Sequence, residues 1–315
     1  MRLRGRRETE ALPSLTAASP LGAALERVIV EARCKVNLAL EVIARREDGY
    51  HEIDTVFQTV TLSDSIELRP AAGAVSVEVP GGEVAGGPGN LAARAARAVM
   101  RATGCPGVSV TLLKRIPVGA GLGGGSADAA GVIVGLNALY GLGLEGPAMR
   151  EIGLEAGSDV PFLVEGGTVR GRGRGEALEQ LPELRDVWFV LATPGFEVSA
   201  GSAYDAVRFG LTKRMGFTKL VCSAIRDRDV LALGRALQND LEPGVVRLHP
   251  EVGQLATRLR ERGALGVVMS GSGPTVIALA RLREEAEEIA ASLGGFGGRV
   301  HVVEPARAGC VITQA

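Results

Sequence analysis

Apolar and polar positions alternate along the first part of the chain, as they do in β-strands. Residues 26–48 alternate in this way and are rich in branched side chains, and residues 53–70 form a second extended run. The turn residues "REDGYH" (46–51) separate the two runs. The pattern therefore predicts that an antiparallel meander opens the fold.

Helical spacing appears after this meander and then alternates with short apolar runs. It marks residues 91–103, and Gly104 is placed to stop that helix. The other expected elements are a strand at 107–117, helices at 126–141 and 146–157, a strand at 187–195, helices at 230–242 and 250–263, a hairpin at 265–280, a helix at 283–293 and a last strand at 299–306. This order predicts an α/β protein with extra sheet at both ends.

Length and composition favour two domains over one or three. The chain has 315 residues, of which 46% are hydrophobic, so it can bury a sizeable core. We expect a mobile N-terminal extension at residues 1–25, a first domain at 26–180 and a second at 181–315. The net charge is -1, aromatic residues are scarce, and no apolar run approaches the length of a membrane span. We therefore expect neither a nucleic-acid partner nor a membrane.

The four cysteines are far apart in sequence and form no CxxC pair. With only three histidines in the chain, a zinc site is not expected. Free thiols are typical of a reducing compartment, so the cysteine pattern predicts a cytoplasmic protein.

A glycine-rich loop follows the strand at 107–117 and precedes the helix that we expect to start near Ser126. Five of the seven residues from Gly119 to Gly125 are glycine. Glycine in this density weakens a core, so the loop needs either unusual dihedral angles or a bare backbone that faces a ligand. A helix start offers unsatisfied amides and a positive dipole end, which suit a nucleotide phosphate. Ser126 could cap the helix or bind a phosphate directly.

Three known glycine patterns fit this loop poorly. Gly119, Gly121 and Gly124 match GxGxxG, but the acidic residue that a dinucleotide fold needs at the end of a second strand is missing. In the P-loop pattern, Gly125 stands where the lysine is required. In the nucleophile-elbow pattern, Asp128 stands where the second glycine belongs.

The segment "PVGAGLGGGSADAA" resembles the second signature of the GHMP kinase superfamily, which comprises small-molecule kinases. Other segments resemble, in the same order, one member that acts in non-mevalonate isoprenoid biosynthesis. They are "CKVNLALEV", "REDGYHEIDTVFQTVTLSDSIEL", "EAGSDVPFLVEGG", "GRGRGEAL", "NDLEPGVVRLHPEV" and "SGSGPTVIAL". The resemblance runs from about Val28 to the last expected strand.

The resemblance implies a fold and a reaction. The fold would be a two-domain GHMP kinase fold, with an N-terminal domain like ribosomal protein S5, a ferredoxin-like C-terminal domain and the active site in the cleft between them. The reaction would transfer the γ-phosphoryl group of ATP to the 2-hydroxyl of cytidine diphosphate methylerythritol. Mg²⁺ is implied by the nucleotide chemistry, and among the loop residues Ser126 and Asp128 are plausible ligands.

The same resemblance assigns the nucleotide site. Asn90, Leu91 and Lys114 fall where the superfamily holds the adenine. The phosphate loop would comprise Pro117, Val118, Gly119, Ala120, Gly121, Leu122, Gly123, Gly124, Gly125, Ser126 and Ala127.

Two charged residues are candidates for catalysis. Asp159 could be a general base, or it could form a turn or cap with Ser158. Lys35 could be a strand residue that extends to water at a sheet edge, or a cation directed at the site. Strand alternation places Lys35 on the same face as Asn37. The resemblance favours the catalytic role for both charged residues, and Pro161 is expected to keep Val160 extended.

Substrate contacts are also implied by the resemblance. Tyr50, His51 and Tyr204 would stack on or bind the cytosine, and Asn37 would contact the substrate. Ala200 stands where the family usually has a threonine, so one substrate hydrogen bond is expected to be lost or supplied by a neighbouring serine. The segment Ser270–Pro274 matches the third signature, although it also suits a plain hairpin turn.

Two alternatives remain open at this stage. The first is another GHMP kinase, for homoserine, mevalonate or a sugar, against which "DGYH" argues. The second is an oxidoreductase that binds NAD(P) through GxGxxG. The sequence leaves the oligomeric state open.

Overall fold

The computed structural model describes residues 24–82, 84–87, 89–207 and 216–315. Most of the predicted extension, residues 1–23, therefore lies outside the described residues. The strands are β1 (Val28–Arg45), β2 (His51–Ala71), β3 (Val75–Glu78), β4 (Gly107–Leu113), β5 (Thr168–Gly173), β6 (Ala177–Gln180), β7 (Trp188–Thr193), β8 (Gln238–Asn239), β9 (Gly266–Met269), β10 (Val276–Ala280), β11 (Arg299–Val303) and β12 (Cys310–Gln314). The helices are α1 (Leu91–Thr103), α2 (Gly124–Leu139), α3 (Gly146–Ala156), α4 (Val160–Glu165), α5 (Ala200–Asp205), α6 (Phe217–Asp227), α7 (Val230–Ala236), α8 (Glu242–Leu248), α9 (Pro250–Glu261) and α10 (Arg283–Ala291).

Two sheets organise the described residues. The larger sheet has the order β12-β1-β2-β4-β3, with β5 and β6 continuing from β2, and β8 pairing with β1. β1 and β2 form the predicted antiparallel meander. The smaller sheet has the order β11-β7-β10-β9, all antiparallel, which agrees with the expected ferredoxin-like domain. The boundary near residue 180 stays a prediction.

The chain does not end its strands at β11, as the sequence pattern predicted. β12 returns to the first sheet and pairs antiparallel with β1. This strand is short and half-exposed, so it lacks the apolar run by which a strand is recognised. The strand β5 was also missed, because its glycines weaken the strand pattern. At Gly171, a β-carbon would lie 2.6 Å from Cε2 of Phe57, so glycine makes room for that buried ring.

The helix α2 packs closely on the larger sheet. A β-carbon at Gly131 would lie 2.4 Å from Cδ1 of Ile66, and one at Gly135 would lie 2.5 Å from Cδ1 of Leu68. These two glycines therefore allow the helix backbone to approach β2. The close approach fixes the start of α2, where the glycine loop ends.

Two other expectations concern the chain as a whole. All four cysteines are free, as predicted. Among the described residues, no helix has the length and apolar character needed to cross a membrane.

Candidate active site

A cavity of about 740 Å³ opens between the glycine loop, the end of β1 and the segment that follows β7. Its lining includes nearly every residue that the sequence assigned to the nucleotide. They are Asn90, Leu91, Lys114 and residues 117–126, together with Lys35 and Asp159. Ala127, which was also assigned, is fully buried in α2 and does not line the cavity.

The glycine loop has a backbone that side chains rarely allow. Gly119, Gly121 and Gly123 have φ angles of 61°, 76° and 71°, in the left-handed region. At Gly121, a β-carbon would lie 2.2 Å from the carbonyl oxygen of Ser270. The Ser270 hydroxyl donates to the Gly121 carbonyl at 3.1 Å. The loop therefore needs glycine both for its dihedral angles and for contact with the β9–β10 turn.

The helix α2 begins two residues earlier than predicted. Gly123 is its N-cap and provides no side-chain hydrogen bond, so the expectation that Ser126 could cap the helix is wrong. Ser126 instead lies in the first turn and lines the cavity. With no capping side chain, the first amides of α2 are left for a ligand, and the helix dipole favours an anion there.

Lys35 and Asp159 meet at this cavity. The Nζ atom of Lys35 lies 3.6 Å from Oδ2 of Asp159. The lysine is almost fully buried, and β1 runs between β2 and β12, so the alternative of an edge lysine is wrong. Its ammonium also donates to Oδ1 of Asn37 at 2.7 Å, as strand alternation predicted for residues on one face.

The backbone at Asp159 differs from the expectation. Val160 is not extended but starts α4, with Pro161 in the first turn, where its missing N–H costs no hydrogen bond. Asp159 occupies the N-cap position, yet its carboxylate makes no capping bond. The carboxylate is therefore available to Lys35 and to the cavity.

A second charged cluster lies beneath the start of α2. The ammonium of Lys114 donates to Asp64 and, at 2.6 Å, to Oδ2 of Asp128. Asp64 also accepts from the backbone amides of Arg115 and Ile116. Burial raises the pKa of Asp128 to about 7, partly offset by Lys114 and reinforced by Asp64. Its other oxygen, Oδ1, is buried without a hydrogen-bond partner.

Sequence reasoning did not identify Asp64 as part of this cluster. The residue is 50 positions from Lys114 in sequence and lies on a strand, so no motif spacing connects them. A buried lysine at the end of β4 was the available signal, because such a charge needs a counter-charge. Glu197 was also missed: it lines the cavity beside Gly119.

The nucleotide residue Asn90 has a clear local role. It is the N-cap of α1, and its side chain accepts from the amide of Ala92 at 2.9 Å. Its Nδ2 donates to the carbonyl of Ala85 at 3.1 Å. These bonds hold the rim of the cavity where Asn90 and Leu91 are exposed to it.

The aromatic residues assigned to the substrate lie at one end of β1–β2. His51 stacks on Tyr204 with ring centroids 4.7 Å apart and planes 17° apart. Burial, and secondarily the charge of Asp159, raises the pKa of Tyr204, so this ring lies near the catalytic pair. Tyr50 is exposed, with the guanidinium of Arg174 over its ring at 4.9 Å.

The neighbourhood of Ala200 contains two serines that could replace the usual threonine. Ser199 is the N-cap of α5 and accepts from the amide of Ser202. The hydroxyl of Ser202 donates to the Ser199 carbonyl. Ser199 and Ala200 line the cavity, so of the two serines Ser199 is the one placed to reach a ligand.

Comparison with known proteins agrees with this geometry. Residues 90–167 match the family described as GHMP kinases N terminal domain, and residues 222–298 match GHMP kinases C terminal. The 4-diphosphocytidyl-2-C-methyl-D-erythritol kinase of Pelotomaculum thermopropionicum is 43% identical over 262 residues, covering 82% of this chain and 91% of the relative.

Solved structures show the same relationship. A crystal structure of 4-(cytidine 5'-diphospho)-2C-methyl-D-erythritol kinase matches with a TM-score of 0.73 at 36% identity, covering 87% of this chain and 98% of that one. A homoserine kinase from Cytophaga hutchinsonii matches with a TM-score of 0.78 at 21% identity, covering 92% and 98%, which shows the fold alone. The chain therefore has the GHMP kinase fold and belongs to the 4-diphosphocytidyl-2-C-methyl-D-erythritol kinase family.

Proposed function

We propose that this chain transfers the γ-phosphoryl group of ATP to the 2-hydroxyl of 4-diphosphocytidyl-2-C-methyl-D-erythritol, giving the 2-phosphate and ADP in non-mevalonate isoprenoid biosynthesis. The observation that carries the proposal is the Lys35–Asp159 pair, which lies in the same cavity as the glycine loop. The relatives named above supply the substrate. We also propose a cytoplasmic location, which suits the free thiols.

In this reaction, Asp159 acts as the general base. Its carboxylate accepts the proton of the 2-hydroxyl as the oxygen forms a bond to the γ-phosphorus, and the bond from that phosphorus to the β-phosphate oxygen breaks to release ADP. Lys35 lies beside the carboxylate, where its positive charge offsets charge on the transferred group.

The glycine loop holds the phosphates. Gly119, Gly121 and Gly123 remove side chains from the surface that faces the cavity, and the uncapped amides at the start of α2 supply donors. Asn90, Leu91 and Lys114 lie at the part of the lining that we assign to the adenine. Phosphoryl transfer depends mainly on such positioning and charge stabilisation.

The residues present fit a magnesium ion that is held chiefly by the nucleotide. No group of three His, Cys, Asp or Glu residues among the described ranges could hold a metal by itself. Asp128 gives one oxygen to the Lys114 ammonium, whose charge opposes a second cation there. Ser126 lines the cavity and is the protein oxygen that we propose as a ligand. Neutralisation of phosphate charge is the chemistry that Mg²⁺ supplies at such sites.

The cytidine end of the substrate is assigned to the aromatic group near Asp159. His51 and Tyr204 already stack on one another, and Tyr50 presents an exposed ring close in sequence. Burial lowers the pKa of His51, with the charge of Arg45 adding to the effect, so the imidazole is neutral at pH 7. A neutral imidazole can donate from one nitrogen and accept at the other, which suits a base edge.

A coupled ADP-release assay over a panel of alcohols tests the proposal. The panel contains the cytidine diphosphate compound, the free methylerythritol phosphate, homoserine and mevalonate. We expect ADP release with the cytidine diphosphate compound at least about 100-fold above the others in kcat/KM, because the cytosine contacts add binding energy. A preference for another alcohol would identify a different GHMP activity. NADH formation or consumption without ADP would identify an oxidoreductase.

A further inference from the structure

A chain of buried hydrogen bonds lies behind Lys35 and ends on β2. The Lys35 ammonium donates to Oδ1 of Asn37 at 2.7 Å, and Nδ2 of Asn37 donates to Oγ1 of Thr55 at 2.8 Å. The Thr55 hydroxyl in turn donates to the carbonyl oxygen of Ala39 at 2.6 Å. Asn37 is 2% exposed and Thr55 is fully buried, so water does not compete for these bonds.

The last bond of the chain fixes the direction of the others. A threonine hydroxyl has a single proton, and the carbonyl of Ala39 can only accept one. Toward Asn37, the Thr55 oxygen therefore presents only lone pairs, and the carboxamide must turn its NH₂ group to Thr55. Its oxygen then faces Lys35.

The opposite orientation of the amide would break both contacts. The NH₂ group of Asn37 would face the ammonium of Lys35, donor against donor. Its oxygen would face the Thr55 oxygen, which has no proton left to donate. Buried polar groups without partners are costly, so Thr55 selects one orientation of Asn37.

Lys35 depends on this orientation for its place beside Asp159. Its side chain lies against Gly123, where a β-carbon would be 3.0 Å from Cγ, and its ammonium lies near Gly271. The ion pair with Asp159, at 3.6 Å, is too long to fix the tip. The bond to Asn37 is therefore the short contact that holds the ammonium.

We propose that Thr55 is a positioning residue for the phosphoryl transfer: through Asn37, it presents an acceptor to Lys35 and so holds the ammonium beside Asp159. This inference rests on the proposed function for its kinetic consequence. It also gives Asn37 a role other than the substrate contact predicted from sequence. Thr55 itself belongs to none of the residues that the sequence assigned to the site.

The test compares Thr55→Val with Thr55→Ser. Valine keeps the shape but removes the hydroxyl, so we expect kcat to fall by about 10- to 100-fold while KM for ATP stays within about twofold. Serine keeps the hydroxyl, so kcat should stay within about threefold of the wild-type value. A serine variant as slow as the valine variant would overturn the proposal.

Thr218→Val is the matched control for a general loss of stability. Thr218 is also fully buried, and its hydroxyl donates to the carbonyl of Asp54 on β2, outside the chain that leads to Lys35. We expect this variant to lower the unfolding temperature without the loss of kcat. An equal loss of kcat in Thr218→Val would show that Thr55 acts only through stability.

A double-mutant cycle with Asn37→Ala tests whether Thr55 acts through Asn37. If it does, Thr55→Val has little further effect on kcat once the carboxamide is gone. Losses that multiply independently would overturn the relay.

A readout without turnover separates this inference from the proposed function. In NMR spectra, the Asn37 side-chain amide should give one well-defined pair of proton signals in the wild-type protein and in Thr55→Ser. In Thr55→Val, these signals should shift or broaden as the amide loses its fixed orientation. If the wild-type protein has no kinase activity but the amide signals behave in this way, the proposed function fails and the orientation of Asn37 by Thr55 stands. Unchanged signals in Thr55→Val would overturn it.

Discussion

The Nζ atom of Lys35 lies 3.6 Å from Oδ2 of Asp159, and the two side chains differ in exposure. The lysine side chain is 6% exposed, whereas that of the aspartate is 27% exposed. The ammonium is thus enclosed by protein, and the carboxylate keeps a face toward the cavity. This asymmetry suits a base that must reach a substrate hydroxyl beside a cation that need not move.

The first prediction concerns Asp159→Asn. An amide has nearly the same shape but cannot accept the hydroxyl proton, so we expect kcat to fall by at least about 100-fold. ATP binding should stay within about threefold, because the phosphate loop is unchanged. Steady-state kinetics and calorimetric titration with ATP measure the two effects. Turnover near the wild-type rate would show that Asp159 is not the base.

The sequence predicted the parts of this site that depend on local geometry. Strand alternation placed Lys35 and Asn37 on one face, and the glycine loop before a helix start indicated the phosphate site. Alternation could not identify Asp159 as the partner of Lys35, because strand geometry relates only neighbouring positions. The residue was assigned from resemblance, and the pairing required the folded chain.

The contact between Gly121 and Ser270 illustrates a second limit. The two residues are 149 positions apart, and the contact exists because the β9–β10 turn packs on the glycine loop. The pattern "SGSGP" suited either a phosphate-site loop or a hairpin turn, and the structure shows a turn that also contacts the loop. The helix α4 shows a third limit, because the local bias of proline yielded to its tolerance in a first helical turn.

The second prediction concerns Gly121→Ala. Its φ angle of 76° and the 2.2 Å approach to the Ser270 carbonyl mean that a methyl group would both strain the loop and displace the turn. Strain of about 1–3 kcal/mol at the phosphate loop corresponds to a rise of about 5- to 150-fold in the Kd for ATP. Calorimetric titration measures this rise.

Gly143→Ala is the control for strain without contact. Gly143 has a φ angle of 66° in the turn between α2 and α3, and no atom lies within 4 Å of a β-carbon there. We expect this variant to lose some stability to unfolding but to bind ATP like the wild-type protein. If both variants bound ATP normally, the loop would not be the phosphate site.

The third prediction concerns the stacked pair His51 and Tyr204. His51→Ala removes a ring that contacts the position assigned to cytosine, and aromatic contacts contribute about 0.5–1.5 kcal/mol. We expect KM for the cytidine diphosphate substrate to rise by about 3- to 10-fold, with KM for ATP unchanged. Tyr204→Phe keeps the ring and should retain most of the affinity. A rise in KM for ATP in place of the alcohol would place the pair at the nucleotide.

The last prediction concerns the pH dependence of stability through Asp128. Burial raises the pKa of this carboxyl to about 7, whereas in the unfolded chain it titrates near its ordinary value of about 4. Between these values the folded protein holds a proton that the unfolded chain has released, so the Asp128 contribution to the free energy of unfolding is complete below about pH 4 and is lost as the pH rises to about 7. Asp128→Asn can still accept from Lys114 but does not titrate. Urea unfolding from pH 4.5 to 8 should therefore show that the wild-type protein loses about 1–4 kcal/mol relative to the variant over this range. A constant difference, or one that grows in favour of the wild-type protein as the pH rises, would show that Asp128 is ionised throughout and that Lys114 fully compensates its burial.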